Sequence, residues 1–224
     1  MSSPRVLGRP SAFLFDCDGV LVDSLASAEA AWVAWATTYK PDFDMERDLQ
    51  HGRRAVDTIA ELVETALVEQ AFDDLLAREM DTVDGTVAIT GAAALTESLP
   101  SGRWVAVTSG PRELALARLN SAGISLPERL VTAEDVDRGK PDPQPYERGA
   151  EQASVPVGEC VVFEDAPAGI AAARAAGAGW IIGVGAGAYT PWSDGSVPDV
   201  VVPDLSAVRF VDGELLVDEE LPRP

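Results

Sequence analysis

The chain has 224 residues, 46% of them hydrophobic, which suffices for one large domain or a core with a modest insert. A formal charge of −20 argues against nucleic acid, whose phosphates are met by basic patches. The sequence offers neither a run near 18 apolar residues nor a basic leader followed by an apolar segment, so the expectation is a cytoplasmic protein with no membrane partner.

Residues 1–11 are polar with two prolines and read as a short disordered arm. The apolar run Ala12-Phe13-Leu14-Phe15 leads straight into Asp16-Cys17-Asp18-Gly19-Val20, a buried strand ending in two carboxylates and a glycine. Ser24 is a candidate cap for a helix with the stripe Ala28, Trp32, Trp35 and Tyr39, stopped by Pro41. Helical periodicity continues at Val56, Ile59, Val63 and Leu67, then at Phe72, Leu75, Leu76 and Met80, with no strand-like alternation up to residue 83. Beyond it strands and helices alternate: strands at 104–107, 130–131, 160–163, 180–184 and 200–202, helices over 113–122, 144–153 and 167–176. Such units require parallel pairing with helices on both faces. The predicted fold is therefore α/β, a Rossmann-like parallel sheet core (residues 1–20 and 86–224) plus a small all-helical cap domain (residues 21–85). The tail over 208–217 reads as a hairpin turning at Asp212-Gly213.

In a parallel sheet, functional side chains gather beyond the carboxyl ends of the strands. Asp16, Thr108-Ser109-Gly110 and Glu164-Asp165 all fall at such ends, and Lys140 lies in the stiff loop Gly139-Lys140-Pro141-Asp142-Pro143. Asp16 is a candidate nucleophile toward phosphorus. Asp18, two residues on, can protonate a leaving alkoxide and then take a proton from water. Thr108 and Ser109 with the following amides can grip phosphoryl oxygens. Lys140, one of only two lysines, can neutralise both Asp16 and an incoming phosphate. Asp16, the Asp18 carbonyl and Asp165 suit an oxygen-only Mg²⁺ site, with Glu164 joining directly or through another ligand. Cys17 and Cys160 match no metal-ligand spacing and read as buried thiols.

In order and context these four elements resemble the haloacid-dehalogenase superfamily over roughly residues 12–188. The resemblance implies an aspartyl nucleophile, an acid/base aspartate, a Thr/Ser and a Lys for phosphate, and an acidic pair for Mg²⁺, carried here by Asp16, Asp18, Thr108, Lys140, Glu164 and Asp165. A helical insert directly after the first motif is similar to the small cap of the sugar-phosphatase and phosphoglucomutase-like branch. The segments His51-Gly52-Arg53-Arg54 and Val162-Phe163-Glu164-Asp165-Ala166-Pro167 resemble glycerol-phosphate and 2-deoxyglucose-6-phosphate phosphatases. The expected activity is Mg²⁺-dependent hydrolysis of a small phosphorylated metabolite through an aspartyl-phosphate. The alternatives are a phosphosugar mutase and a non-catalytic binding protein on the same fold. His51, Arg53 and Arg54 read either as substrate-facing donors of the cap or as a solvated helix start. The tryptophans at 32 and 35 read as cap core in preference to a sugar platform. Lys40, beside Pro41, is poorly placed for the Schiff base that a phosphonoacetaldehyde hydrolase needs. A dehalogenase would need neither Asp18 nor the full metal pair.

Overall fold

A computed structural model describes residues 4–222 of the protein. Four apolar residues form β2 (Ala12–Phe15), wholly buried at the centre of a six-stranded parallel sheet. The remaining strands of that sheet are β5 (Trp104–Val107), β6 (Leu130–Val131), β7 (Cys160–Glu164), β8 (Trp180–Val184) and β9 (Val200–Val202). Their order is β6-β5-β2-β7-β8-β9, so β2 lies between β5 and β7, with Phe15 opposite Ala106 on one side and Phe163 on the other. That is where the chain reverses its direction of growth across the sheet, and loops leaving there open a crevice.

Alternation along β2 divides its side chains between the two faces. Phe13 and Phe15 pack toward α5 (Ala92–Ser98) and α6 (Arg112–Ser121) through Leu95 and Leu119. Ala12 and Leu14 pack toward α7 (Gln144–Ala153) and α8 (Pro167–Ala176) through Tyr146, Ala150 and Ile170. Gly123 (φ +68°) and Gly177 (φ +78°) follow α6 and α8 in the left-handed conformation that glycine tolerates without strain. The α/β expectation holds.

Between β2 and β5 the chain leaves the core and returns. Its crossing points pair as a two-stranded antiparallel ribbon, β3 (Val22–Asp23) with β4 (Val87–Ala88). Beyond the ribbon stand α1 (Leu25–Tyr39), α2 (Met45–Asp48), α3 (Ala55–Leu62) and α4 (Val68–Asp81). They close on their own apolar cluster of Ala31, Trp32, Trp35, Ala36, Ile59, Ala71 and Leu75. Trp35 is fully buried and its indole N–H donates to the Ala71 carbonyl at 2.8 Å, which satisfies the one polar atom that burial would otherwise strand.

Two details depart from the sequence reading. The arm expected over 1–11 forms a strand, β1 (Arg5–Gly8), antiparallel to β11 (Glu214–Val217); residues 1–3 lie outside the described residues. The hairpin partner β10 (Val208–Val211) gives the chain's ends a shared three-stranded sheet. Pairing with the far end of the chain is invisible to local periodicity. Ser24 stands at the start of α1 but donates its hydroxyl to Asp18 rather than capping the helix.

Candidate active site

Asp16 leaves β2 with its amide bound to the Phe163 carbonyl at 3.0 Å, which fixes the carboxylate against the end of β7. Lys140 reaches it from the loop before α7: Nζ donates to Asp16 Oδ1 at 2.6 Å, to Glu164 Oε1 at 2.6 Å and to the Val107 carbonyl at 3.2 Å. The lysine side chain has no solvent exposure, so all three ammonium donors are spent inside the protein. Burial works against its charge, but the two carboxylates outweigh that and hold the ammonium well protonated.

Glu164 is equally committed. Tyr146 donates its hydroxyl to Oε1 at 2.6 Å, and the amides of Asp165 and Ala166 donate to Oε2 at 3.1 and 3.2 Å. Asp165 is different: its Oδ1 is buried and meets no hydrogen-bond partner among the described residues. Burial, then the charges of Glu164 and Asp16, push its carboxyl up well above the usual range. Burial also raises the Asp16 carboxyl to about 7, with Lys140 opposing and Glu164 reinforcing. Asp16, Glu164 and Asp165 each present an oxygen within 4.8 Å of the others. An orphaned carboxylate oxygen beside further carboxylates is a site short of positive charge, and oxygen donors suit a hard divalent cation.

Gly19 makes this approach possible. Its φ is +83°, and a Cβ there would sit 2.1 Å from Asp165 Oδ2. Gly169 does the same for Glu164, since a Cβ would lie 1.7 Å from Oε1. Thr108, at the end of β5, accepts the Gly110 amide at 3.0 Å and keeps its own hydroxyl proton to donate. Ser109 donates to the Gly52 carbonyl of the helical block at 2.6 Å.

The cleft in front of Asp16 is walled by Asp18, Thr108, Ser109 and Asp165 from the core and by Trp32, His51 and Arg53 from the helical block. His51 is exposed at its rim. Arg53 reaches the wall while paired to Glu61 at 2.5 Å. Arg54 corrects the sequence reading: it does not line the cleft. It pairs with Asp57 at 2.8 Å and donates to the Val136 and Asp137 carbonyls at 3.0 Å, fastening the start of α3 to the loop that carries Lys140.

Four contributors escaped sequence reasoning. Asp18 Oδ1 accepts from Ser24 at 2.5 Å and from Arg118 at 2.9 Å, and Arg118 pairs onward with Glu79 of α4 at 3.2 Å. Arg118 shares the buried face of α6 with Leu114, Ala115 and Leu119, and Glu79 extends the buried row Ala71 and Leu75 of α4. A charge sitting in register with an apolar stripe was the available signal. Tyr146 carried none, because an aromatic at a helix's buried position is ordinary core.

Against this geometry the sequence matches a family model, haloacid dehalogenase-like hydrolase, over residues 10–177. The chain belongs to that family. This hydrolase is 40% identical over 188 residues to hexitol phosphatase A of Escherichia coli (strain K12), covering 82% of this chain and 87% of the relative. It is 34% identical over 212 residues to glycerol-1-phosphate phosphohydrolase 2 of Saccharomyces cerevisiae, covering 89% and 84%. A solved hydrolase from Pseudomonas syringae superposes with a TM-score of 0.77 at 25% identity, over 87% of this chain and 94% of that one. The expectation of a phosphoric monoester hydrolase agrees with these relatives. Among the described residues no helix is long and apolar enough to cross a membrane.

Proposed function

We propose that this hydrolase is a Mg²⁺-dependent phosphatase of a small phosphorylated polyol or sugar, acting through an aspartyl-phosphate on Asp16. The observation that carries the reading is the buried Asp16–Lys140–Glu164 ion triad set beside an Asp165 oxygen that lacks a partner among the described residues. The named activities of the hexitol and glycerol-phosphate relatives give the substrate class. Residues 21–85 act as a cap over the core of 1–20 and 86–224.

Asp16, Asp165 and the Asp18 carbonyl would hold the cation, while Glu164, whose oxygens are filled by Lys140, Tyr146 and two amides, acts by holding Lys140. When bound, Mg²⁺ supplies positive charge opposite the phosphoryl oxygens and the attacking carboxylate. Lys140 favours the ionised form of Asp16 and fixes its carboxylate beside the cleft. Thr108 donates its hydroxyl to a phosphoryl oxygen, where charge grows in the transition state. Asp16 attacks phosphorus, the bond to the leaving oxygen breaks, and Asp18 delivers a proton to that oxygen. Asp18, now ionised, takes a proton from the water that cleaves the aspartyl-phosphate and restores Asp16. The docked helical block keeps bulk water out during both steps.

Hydrolysis is favoured over the mutase alternative by the state of the cap arginines. A mutase must hold a second phosphate, but Arg53 is paired to Glu61 and Arg54 to Asp57. The test is phosphate release from a panel of polyol and sugar phosphates with and without EDTA. Release that requires Mg²⁺, with no isomer interconversion, is expected; metal-independent release or interconversion without free phosphate would refute the proposal.

A further inference from the structure

The core chemistry leaves one buried charged pair of the cleft unused. Arg118 and Glu79 are 4% and 9% exposed, and both line the cleft. They come from opposite sides, α6 of the core and α4 of the helical block, and meet next to Asp18. Two apolar side chains there would hold the elements together at less electrostatic cost, because a buried ion pair seldom repays its desolvation. Burial indeed pushes the Glu79 carboxyl up, against the pull of Arg118. Both residues line the cavity, and their bonding is incomplete: Glu79 uses only Oε1 toward Arg118, and Arg118 spends one contact each from its two terminal nitrogens. An acceptor oxygen and guanidinium donors thus stand together beside the group that protonates the leaving oxygen, against the apolar walls of Trp32 and Leu114.

We propose that the Arg118–Glu79 pair is the specificity element of the cleft, reading uncharged hydroxyls on the carbons next to the phosphate and rejecting a carboxylate or second phosphate there. This rests on the phosphatase reading above. A hydroxyl both donates and accepts, so it can satisfy a carboxylate oxygen and a guanidinium N–H at once. An anion cannot. The single guanidinium already stands between two carboxyl groups, Asp18 and Glu79, so little of its charge is left for an anion. Arg53, the other cation on the cleft, is neutralised by Glu61. A site that hydrogen-bonds hydroxyls in a water-poor wall discriminates strongly against a ligand lacking them.

Three substrates with one carbon skeleton separate these effects: glycerol 1-phosphate, propyl phosphate and 3-phosphoglycerate. The wild-type kcat/KM for glycerol 1-phosphate should exceed each of the others by at least about ten-fold. In Glu79→Leu, which removes both the acceptor oxygen and the charge, the glycerol-to-propyl ratio should fall by about ten-fold and the 3-phosphoglycerate-to-glycerol ratio should rise by a similar factor. Should that variant not fold, Glu79→Met, which fills the space without charge, carries the same expectation. Both ratios staying within two-fold of wild type, or a wild-type preference for 3-phosphoglycerate, would overturn the proposal. Calorimetry on Asp16→Asn protein in EDTA reads the pair without turnover. Glycerol 1-phosphate should bind more tightly than propyl phosphate, and Glu79→Leu in that background should erase the difference. Absence of any difference overturns the inference even if phosphatase activity is found. A difference that Glu79→Leu erases sustains it even if the hydrolytic reading fails.

Discussion

At the scale of the residue, the site is an electrostatic compromise that the protein alone leaves incomplete. Asp16 is buried and its carboxyl is raised from 3.8 to about 7, so between those values the folded protein without metal binds a proton there that the unfolded chain has released. Stability from this group therefore falls as pH rises from about 4 to about 7 and stays reduced above that. A cation bound by the carboxylate reverses the penalty. In EDTA, Asp16→Asn should melt closer to or above wild type at pH 8 than at pH 4.5. Millimolar Mg²⁺ should raise the wild-type Tm at pH 8 and leave the variant's nearly unmoved, which differential scanning fluorimetry reads directly. An equal Mg²⁺ shift in both would remove Asp16 from the ligand set. In turnover, the same variant lacks the proposed nucleophile and should lose activity by at least about 1,000-fold. Lys140→Met should also fall by about 100-fold or more, and it should lose stability, because Glu164 is then buried without its cation.

At the scale of the element, strand ends and glycines position the chemistry. β2 places Asp16 between β5 and β7, and the positive φ of Gly19 turns the chain so that Asp165 can pass over it. Gly19→Ala should therefore weaken Mg²⁺ binding and kcat together, with Asp165 displaced; Mg²⁺ titration of phosphate release checks it. The start of α3 is fastened differently. Arg54→Ala removes the donors to the Val136 and Asp137 carbonyls, loosening the helical block over the core. KM should rise several-fold, kcat should change less, and limited proteolysis near residues 50–54 should quicken. These elements also mark what the sequence made legible. Strands ending in Asp16, Thr108 and Glu164-Asp165 were readable, because an apolar run that stops at a polar group is a local signal. The approach of Lys140 to Asp16 was readable from two opposite charges in loops at one end of the sheet, but its second bond, to Glu164, was not. The role of Arg54 was not readable, since its partners are main-chain carbonyls some 80 residues away that any sequence would supply. Arg118 and Glu79 were hidden for a related reason: each looks like an ordinary surface charge until both stripes are seen to face one cleft.

At the scale of the molecule, a net charge of −20 has to coexist with an anionic substrate. The arginines are largely spent on local pairs at the surface, such as Arg47–Asp48, Arg138–Asp142 and Arg209–Asp218, each worth little in water. Most carboxylates then repel one another over distances that salt controls, about 30 Å at 0.01 M and about 8 Å at 0.15 M. Self-repulsion of this kind favours expansion, so the folded state should gain from screening. Raising NaCl from 10 to 500 mM should lift the Tm by several degrees at pH 7.5, with the metal held in EDTA to exclude specific binding. The buried ion triad of Asp16, Lys140 and Glu164 is shielded from the added salt, so the gain should persist in Lys140→Met. A Tm that fell with salt would mean that the surface pairs outweigh the long-range repulsion. The cleft would then owe its phosphate affinity to a field less hostile than the overall charge implies.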